Sequence, residues 1–316
     1  VFVGTDSLAG VTVVGTQTFV GTSPNRVIAH TFAGGTNGAN YDVRYADGVL
    51  EIKKATALRI TVTADDATKT YDGTPLTQVN FTVTGALATG DRVEATTHGS
   101  ITNAGTTPNT LNAATDVKVF NGTVDVTENY SITAKNGTLT VNPVRVTITA
   151  NTNTKVYDGT PLTDSGYTVA CEAGYGFVGS DGVQSATVVG SQTLVGASDN
   201  NVTGHALKTG TIAGNYAVSY AKGTLTVTQA SIAVKFTADS DTKVYDGTPL
   251  TKATAQLTGG TLANDDHFVC TVVGSATHVA DTAAGNNALT VVRIYHGAGT
   301  TNDVTANYNI SKFNGT

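Results

Sequence analysis

The sequence has no methionine, no tryptophan, two cysteines, six prolines and only 13% charged residues. Each scarcity excludes something. Low charge combined with 40% hydrophobic residues excludes a disordered chain, which carries more charge and fewer apolar residues. A formal net charge of −6 argues against nucleic-acid binding, which calls for a basic stripe. No window reaches ~18 consecutive apolar residues, so no membrane insertion by a helix is expected. Cys171 and Cys270 fall at non-equivalent places and read as two separate buried thiols, not as a disulfide framework. No initiator residue or signal peptide is visible and the chain opens in mid-pattern, so it reads as a segment of something longer.

What is present is threonine, valine and 35 glycines, a composition that leans to β. Self-similarity is the dominant signal. The motif Lys-x-Tyr-Asp-Gly-Thr-Pro-Leu-Thr occurs three times. Its members are Lys69, Tyr71, Asp72, Gly73 and Pro75; Lys155, Tyr157, Asp158, Gly159 and Pro161; and Lys243, Tyr245, Asp246, Gly247 and Pro249. A second landmark, Asn-Tyr, stands at Asn40-Tyr41, Asn129-Tyr130, Asn215-Tyr216 and Asn307-Tyr308. The segment Val13–Gly21 closely matches Val188–Gly196, so the larger unit is a pair of repeats. The expected division is 1–55 (the back part of one repeat), 56–142, 143–228, and 229–316 (a repeat lacking its last strand).

Each repeat opens with strict alternation. Leu58, Ile60, Val62 and Ala64 face one way, as do Val144, Val146, Ile148 and Ala150, and Ile232, Val234, Phe236 and Ala238. A period of two over seven residues predicts a half-buried strand. The Asp-Gly-Thr-Pro segment is a turn in which Gly73, Gly159 and Gly247 permit positive φ. Asn136-Gly137 and Asn314-Gly315 are expected to be two-residue hairpin loops of type I′. Joints between repeats are short, with Pro143 between strands ending at Val141 and starting at Val144. No stretch shows a helical period. The expected fold class is all-β.

On its repeated motif the chain resembles the tandem Ig-like, MBG-type repeats of large bacterial cell-surface proteins and adhesins. The resemblance runs the length of the chain. It implies tandem Ig-like β-sandwich domains, arranged as an elongated rod, and a non-enzymatic extracellular role without a cofactor.

Candidate chemistry is sparse. An intramolecular isopeptide bond would use Lys69, Asn129 and Asp72; Lys155, Asn215 and Asp158; or Lys243, Asn307 and Asp246, with burial lowering the Lys pKa. The plainer reading gives the Lys stem to the Tyr and the Asp to an Asx turn. Acidic loops at Asp65-Asp66 and Asp239-Ser-Asp241 read as solvated turns, since the third equivalent, Asn151-Thr-Asn153, lacks the carboxylates that calcium needs. The histidines, His30, His98, His205, His267, His278 and His296, show no paired zinc spacing, so no metal is expected. The tyrosines of the two repeated motifs read as core or corner residues, which leaves no positive signal for sugar stacking. Asn-x-Ser/Thr patterns such as Asn80 and Asn201 read as chance in a Thr- and Asn-rich chain.

The expected role is a stalk at the bacterial cell surface that projects a distal binding region. Its partners would be neighbouring repeats of the same chain. The alternatives are multivalent binding of a host or cell-surface protein or glycan by the repeats themselves, and a surface filament formed by strand exchange.

Overall fold

The computed structural model describes residues 1–53, 58–281 and 285–316. The expected boundary at 55/56 lies outside them. The chain is nearly all β, and the described residues contain short 3-10 turns but no α-helix. It divides into two compact units, residues 1–143 and 144–316.

In the first unit, β1 (Leu8–Val14), β2 (Gly21–Phe32) and β3 (Gly48–Ile52) form an antiparallel sheet in that order. The next repeat supplies β4 (Arg59–Ala64), β5 (Ala67–Thr70), β6 (Phe81–Gly85), β7 (Asp91–Ala95) and β8 (Gly105–Asn109). It closes with β9 (Val117–Asn121), β10 (Val124–Asp125), β11 (Ser131–Lys135) and β12 (Gly137–Asn142). Its small sheets have the orders β11-β4-β6, β5-β12-β8 and β10-β9-β7.

The second unit repeats the scheme. Its first half contains β13 (Val144–Ala150), β14 (Asn153–Val156), β15 (Tyr167–Cys171), β16 (Val183–Val189), β17 (Gly196–Leu207), β18 (Tyr216–Ala221) and β19 (Gly223–Thr228). Its second half contains β20 (Ile232–Ala238), β21 (Ala255–Gly259), β22 (Asp266–Val273), β23 (Ala288–His296) and β24 (Tyr308–Phe313). The sheet orders are β15-β13-β18, β14-β19-β17-β16, β21-β20-β24 and β22-β23.

The alternation read from the sequence is realised in the first strands. Ile60, Val62 and Ala64 are buried in β4, Val144, Val146, Ile148 and Ala150 in β13, and Val234, Phe236 and Ala238 in β20. Each buried Val, Ile or Phe contributes about 1.5–3 kcal/mol, which favours this register over one slipped by a residue. In each of the three repeats that contain an opening strand, that strand lies parallel to the strand that follows the Asn-Tyr landmark. Arg59 pairs with Ser131, Val144 with Tyr216, and Ile232 with Tyr308.

The expected hairpin at Asn136-Gly137 does not form. β11 pairs with β4 in one sheet and β12 with β5 and β8 in another, so this dipeptide carries the chain between sheets. The glycine is needed for a close approach, not for positive φ. A Cβ on Gly137 would lie 2.4 Å from the Ala64 carbonyl oxygen, and one on Gly223 would lie 2.1 Å from that of Asn151. Gly315 approaches Asp239 in the same way, at 2.5 Å. Asn136 and Asn314 instead accept hydrogen bonds from the amides of Leu111 and Leu289.

Within the second unit, burial does not stop at residue 228. Tyr157, Leu162, Leu225 and Val227 belong to one cluster with Val234, Phe236, Ile294 and Tyr308, and Leu194 packs against it. In the first unit Phe19 packs in the same manner against the cluster of Ile60, Val62, Val117 and Val119. Phe19 and Leu194 occupy matching places in the two similar segments. Each has its carbonyl bound by the side chain of the glutamine two residues before, Gln17 or Gln192.

Candidate functional site

The repeated nine-residue motif folds into a closed polar loop. Lys69 Nζ donates to Asp72 Oδ1 at 2.6 Å, to the Thr74 hydroxyl at 2.7 Å and to the Thr74 carbonyl at 2.5 Å. Lys155 binds Asp158 and the Thr160 hydroxyl at 2.7 Å each, and also the Thr160 carbonyl. Lys243 repeats the pattern with Asp246 at 2.8 Å and the Thr248 hydroxyl at 2.6 Å. In all three loops the Asp carboxylate accepts the backbone amide two residues on, at 2.9 Å, which makes an Asx turn. Gly73, Gly159 and Gly247 sit at φ +80°, +76° and +75°, so the turn reading of these glycines holds. Pro75, Pro161 and Pro249 follow the capped threonines and fix φ where the chain leaves the turn.

These contacts hold the carboxyls well below their ordinary range. For Asp158 the hydrogen bond from Lys155 is the largest cause, followed by the amide and hydroxyl of Thr160, and its pKa falls to about 2. Asp72 and Asp246 are depressed in the same direction, first by Lys69 and Lys243 respectively.

The asparagines of the isopeptide reading are elsewhere. Asn129, Asn215 and Asn307 end the one-turn 3-10 segments that precede the Asn-Tyr strands. Lys69 lies in β5 opposite Val141, at the far end of the strand path that starts beside Ser131. About ten residues at ~3.3 Å each separate the two places, on the order of 30 Å. The same register separates Lys155 from Asn215. Lys and Asp meet in each motif loop, while Asn129 and Asn215 stand at the opposite end of their repeats.

A second constellation, not anticipated from the sequence, recurs in all four repeats. The landmark tyrosines donate to aspartates: Tyr41 to Asp6 at 2.7 Å, Tyr130 to Asp91 at 2.5 Å, Tyr216 to Asp181 at 2.7 Å and Tyr308 to Asp266 at 2.5 Å. Each hydroxyl also accepts the backbone amide three residues before that aspartate, from Val3, Ala88, Val178 or Ala263. One tyrosine therefore pins both ends of a tight turn.

Asp266 has further donors. Its side chain is fully buried and takes the His296 ring nitrogen at 2.7 Å and the Tyr157 hydroxyl at 2.7 and 2.9 Å. Tyr157 is the motif tyrosine of the preceding repeat, so the motif reaches across a joint. Burial first, and the Asp266 hydrogen bond second, push the hydroxyls of Tyr157 and Tyr308 up. Tyr71 and Tyr157 are 7% and 2% exposed, whereas Tyr245 is 61% exposed.

Buried asparagines form a third recurring feature. Asn109, Asn200 and Asn287 each donate through Nδ2 to two carbonyls: Asp65 and Gln78, Asn151 and Asp164, and Asp239 and Lys252. A glycine covers each amide. A Cβ on Gly99, Gly190 or Gly274 would lie 3.0, 2.5 or 2.7 Å from its Oδ1. The sequence signal was available: Asn109, Asn200 and Asn287 all stand two residues before Leu or Val.

The acidic loops are hydrogen-bonded turns. Asp66 accepts the Thr138 amide, and Asp239 accepts Thr254 and Gln256. Among the described residues no group of three His, Cys, Asp or Glu could hold a metal ion. Cys171 and Cys270 are free thiols, half-buried where burial was expected. Two exposed ring pairs recur 175 residues apart, His30 with Tyr45 at 2.7 Å and His205 with Tyr220 at 2.6 Å. No described helix is long and apolar enough to cross a membrane. The chain matches no family model, no curated protein and no solved structure.

Proposed function

We propose that this chain is a load-bearing, non-enzymatic spacer of a bacterial surface adhesin, with Ig-like β-sandwich repeats set in series as an elongated stalk outside the cell. The observation that carries this reading is the parallel pairing of the first two strands of a repeat with its last two. In the repeat 143–228, β13 and β18 run the same way, as do β14 and β19. The chain thus enters at one end of the ladder and leaves at the other. Tension along the chain loads these hydrogen bonds together in shear instead of unzipping them one at a time. The shared cluster around Val227 and Val234 adds a stiff joint of three residues, 229–231.

Single-molecule stretching of the whole chain tests it. The expected trace has discrete rupture peaks, each releasing roughly 300 Å, the contour of ~86 residues at ~3.6 Å each. Smooth extension at low force without such steps would overturn the load-bearing role.

The exposed His30–Tyr45 and His205–Tyr220 pairs favour a second reading, in which the paired repeats bind a host glycan or protein multivalently. A glycan array probed with the chain and with a Tyr45→Ala, Tyr220→Ala double variant tests this. Equal signals, or none, reject it.

A further inference from the structure

Every copy of the repeated motif contains Asp-Gly, a dipeptide with a chemical liability. No side chain shields the amide nitrogen that follows the aspartate. That nitrogen can attack the side-chain carboxyl carbon. A C–N bond forms, the amide proton leaves with the carboxyl's hydroxyl as water, and a five-membered imide closes. Water then opens the imide at either carbonyl. Opening at the main-chain carbonyl leaves isoaspartate, in which the backbone runs through the side chain and is one carbon longer. Only the neutral carboxyl can lose its hydroxyl as water, so the ionised form resists closure.

In the repeats 56–142 and 143–228 the aspartate is gripped in the same way. A single oxygen, Asp158 Oδ1, accepts Lys155 Nζ at 2.7 Å, the Thr160 hydroxyl at 2.7 Å and the Thr160 amide at 2.9 Å. Asp72 Oδ1 accepts Lys69 Nζ at 2.6 Å, the Thr74 hydroxyl at 2.7 Å and the Thr74 amide at 2.9 Å. Each lysine also donates to the hydroxyl and the carbonyl of the same threonine, so all three N–H groups of the ammonium are engaged inside the loop. Charge-assisted bonds of this kind favour the ionised carboxyl, and the Asp158 pKa lies at about 2. Ring closure has to take the carboxyl out of this grip and protonate it.

The consequence of failure is largest at Asp158. Its carbonyl accepts the Asn264 amide at 3.3 Å, and a Cβ on Gly159 would lie 2.2 Å from the Asn264 carbonyl oxygen. The preceding residue, Tyr157, donates to Asp266. An extra backbone carbon between 158 and 159 breaks this close fit at the joint.

We propose that the motif lysine is a guard against chemical ageing: Lys69 and Lys155 hold Asp72 and Asp158 in a form that does not cyclise, and so keep Asp72-Gly73 and Asp158-Gly159 from becoming isoaspartate. The inference stands whether or not the repeats bear load.

Prolonged incubation of the whole chain in warm, mildly acidic buffer tests it. Isoaspartate is then scored at each site by the resistance of the peptide to a protease that cuts before aspartate but not before isoaspartate. Lys155→Gln should raise the rate at Asp158 by about tenfold or more, the worth of one charge-assisted hydrogen bond, and leave Asp72 at the parent's rate. Lys69→Gln should do the reverse. The pH profile should move too: in Lys155→Gln the rate at Asp158 should level off at a higher pH than in the parent, because the carboxyl takes up its proton sooner. Thr160→Val removes one hydroxyl donor and should give a smaller rise of the same kind, which keeps the test open if Lys155→Gln misfolds. Val146→Ala serves as the control for stability. Val146 is fully buried in the same repeat and pairs with Cys171 and Val218, away from the loop, so its variant should weaken the fold but age at Asp158 like the parent. Equal rates in the parent and in the two loop variants overturn the proposal. So does a rise in Val146→Ala as large as that in Lys155→Gln, which would assign the protection to folding at large.

Discussion

The Tyr157 hydroxyl lies 2.7 Å from Asp266 Oδ1 and 2.9 Å from Oδ2, joining positions 109 residues apart. The contact takes place where the carboxylate is fully buried. Tyr157→Phe therefore removes a charge-assisted hydrogen bond without opening a cavity, and should destabilise the second unit by about 1.5–3 kcal/mol. The same change at exposed Tyr245 should leave unfolding unaltered. Chemical denaturation of the two variants side by side checks the pair. Equal effects would mean that the joint contributes nothing.

The buried asparagines make a separate case. Asn200→Ala strips the donors from the carbonyls of Asn151 and Asp164 and leaves a void, a loss of about 2–4 kcal/mol by hydrogen-bond and cavity terms together. Urea midpoints measure it.

Two glycines contrast in the same way. Gly223→Ala drives a Cβ to 2.1 Å from the Asn151 carbonyl oxygen, whereas Gly204→Ala meets nothing within 4 Å. The first should destabilise by more than about 2 kcal/mol, since backbone cannot move aside as a side chain can. The second should be neutral or slightly stabilising, because alanine restricts the unfolded chain more than glycine does. Thermal melts of both variants decide it.

The motif carboxylates set a pH dependence. Their folded pKa values lie below the ordinary value of 3.8, with Asp158 at about 2. The stability they contribute is present above the ordinary value and is lost as pH falls from there toward about 2. These carboxyls are about half exposed, so the effect is modest and shrinks in salt. A carbon-detected NMR titration should place the Asp158 midpoint near 2, and Lys155→Gln should move it back toward 3.8. A midpoint unmoved by that substitution would leave the lysine without its assigned part.

With Lys69 and Asn129 on the order of 30 Å apart along the strand path, no amide can form between them. The intact mass of the denatured chain should equal the sum of its residues. A deficit of one ammonia per repeat would contradict the strand register.

The first strands were legible because Ile60, Val62 and Ala64 and their counterparts alternate without interruption, and burial on one sheet face demands that period. The turns at Gly73, Gly159 and Gly247 were legible because Asx-turn chemistry is local. Asn136-Gly137 was misread because the same dipeptide serves a tight hairpin and a close pass of one backbone over another, and only the strand partners distinguish them. The Tyr–Asp pairs escaped notice because their separation varies, at 35, 39, 35 and 42 residues, so no fixed spacing betrays them. Tyr157 carried no mark of which repeat it would serve. Its partner is defined by a joint, and joints are not written in the alternation of either neighbour.

The parallel pairing of the first strand with the strand after Asn-Tyr has one more consequence. Arg59 and Ser131 are 72 positions apart, as are Val144 and Tyr216, whereas Ile232 and Tyr308 are 76 apart. The terminal ladder is kept while the stretch between its rails changes length. Residues can be added to or removed from the middle of a repeat without disturbing either end that meets a neighbour. Such a unit is interchangeable: its flanks are standardised, its interior is free to drift, and any repeat can stand in for another at the same place in the row.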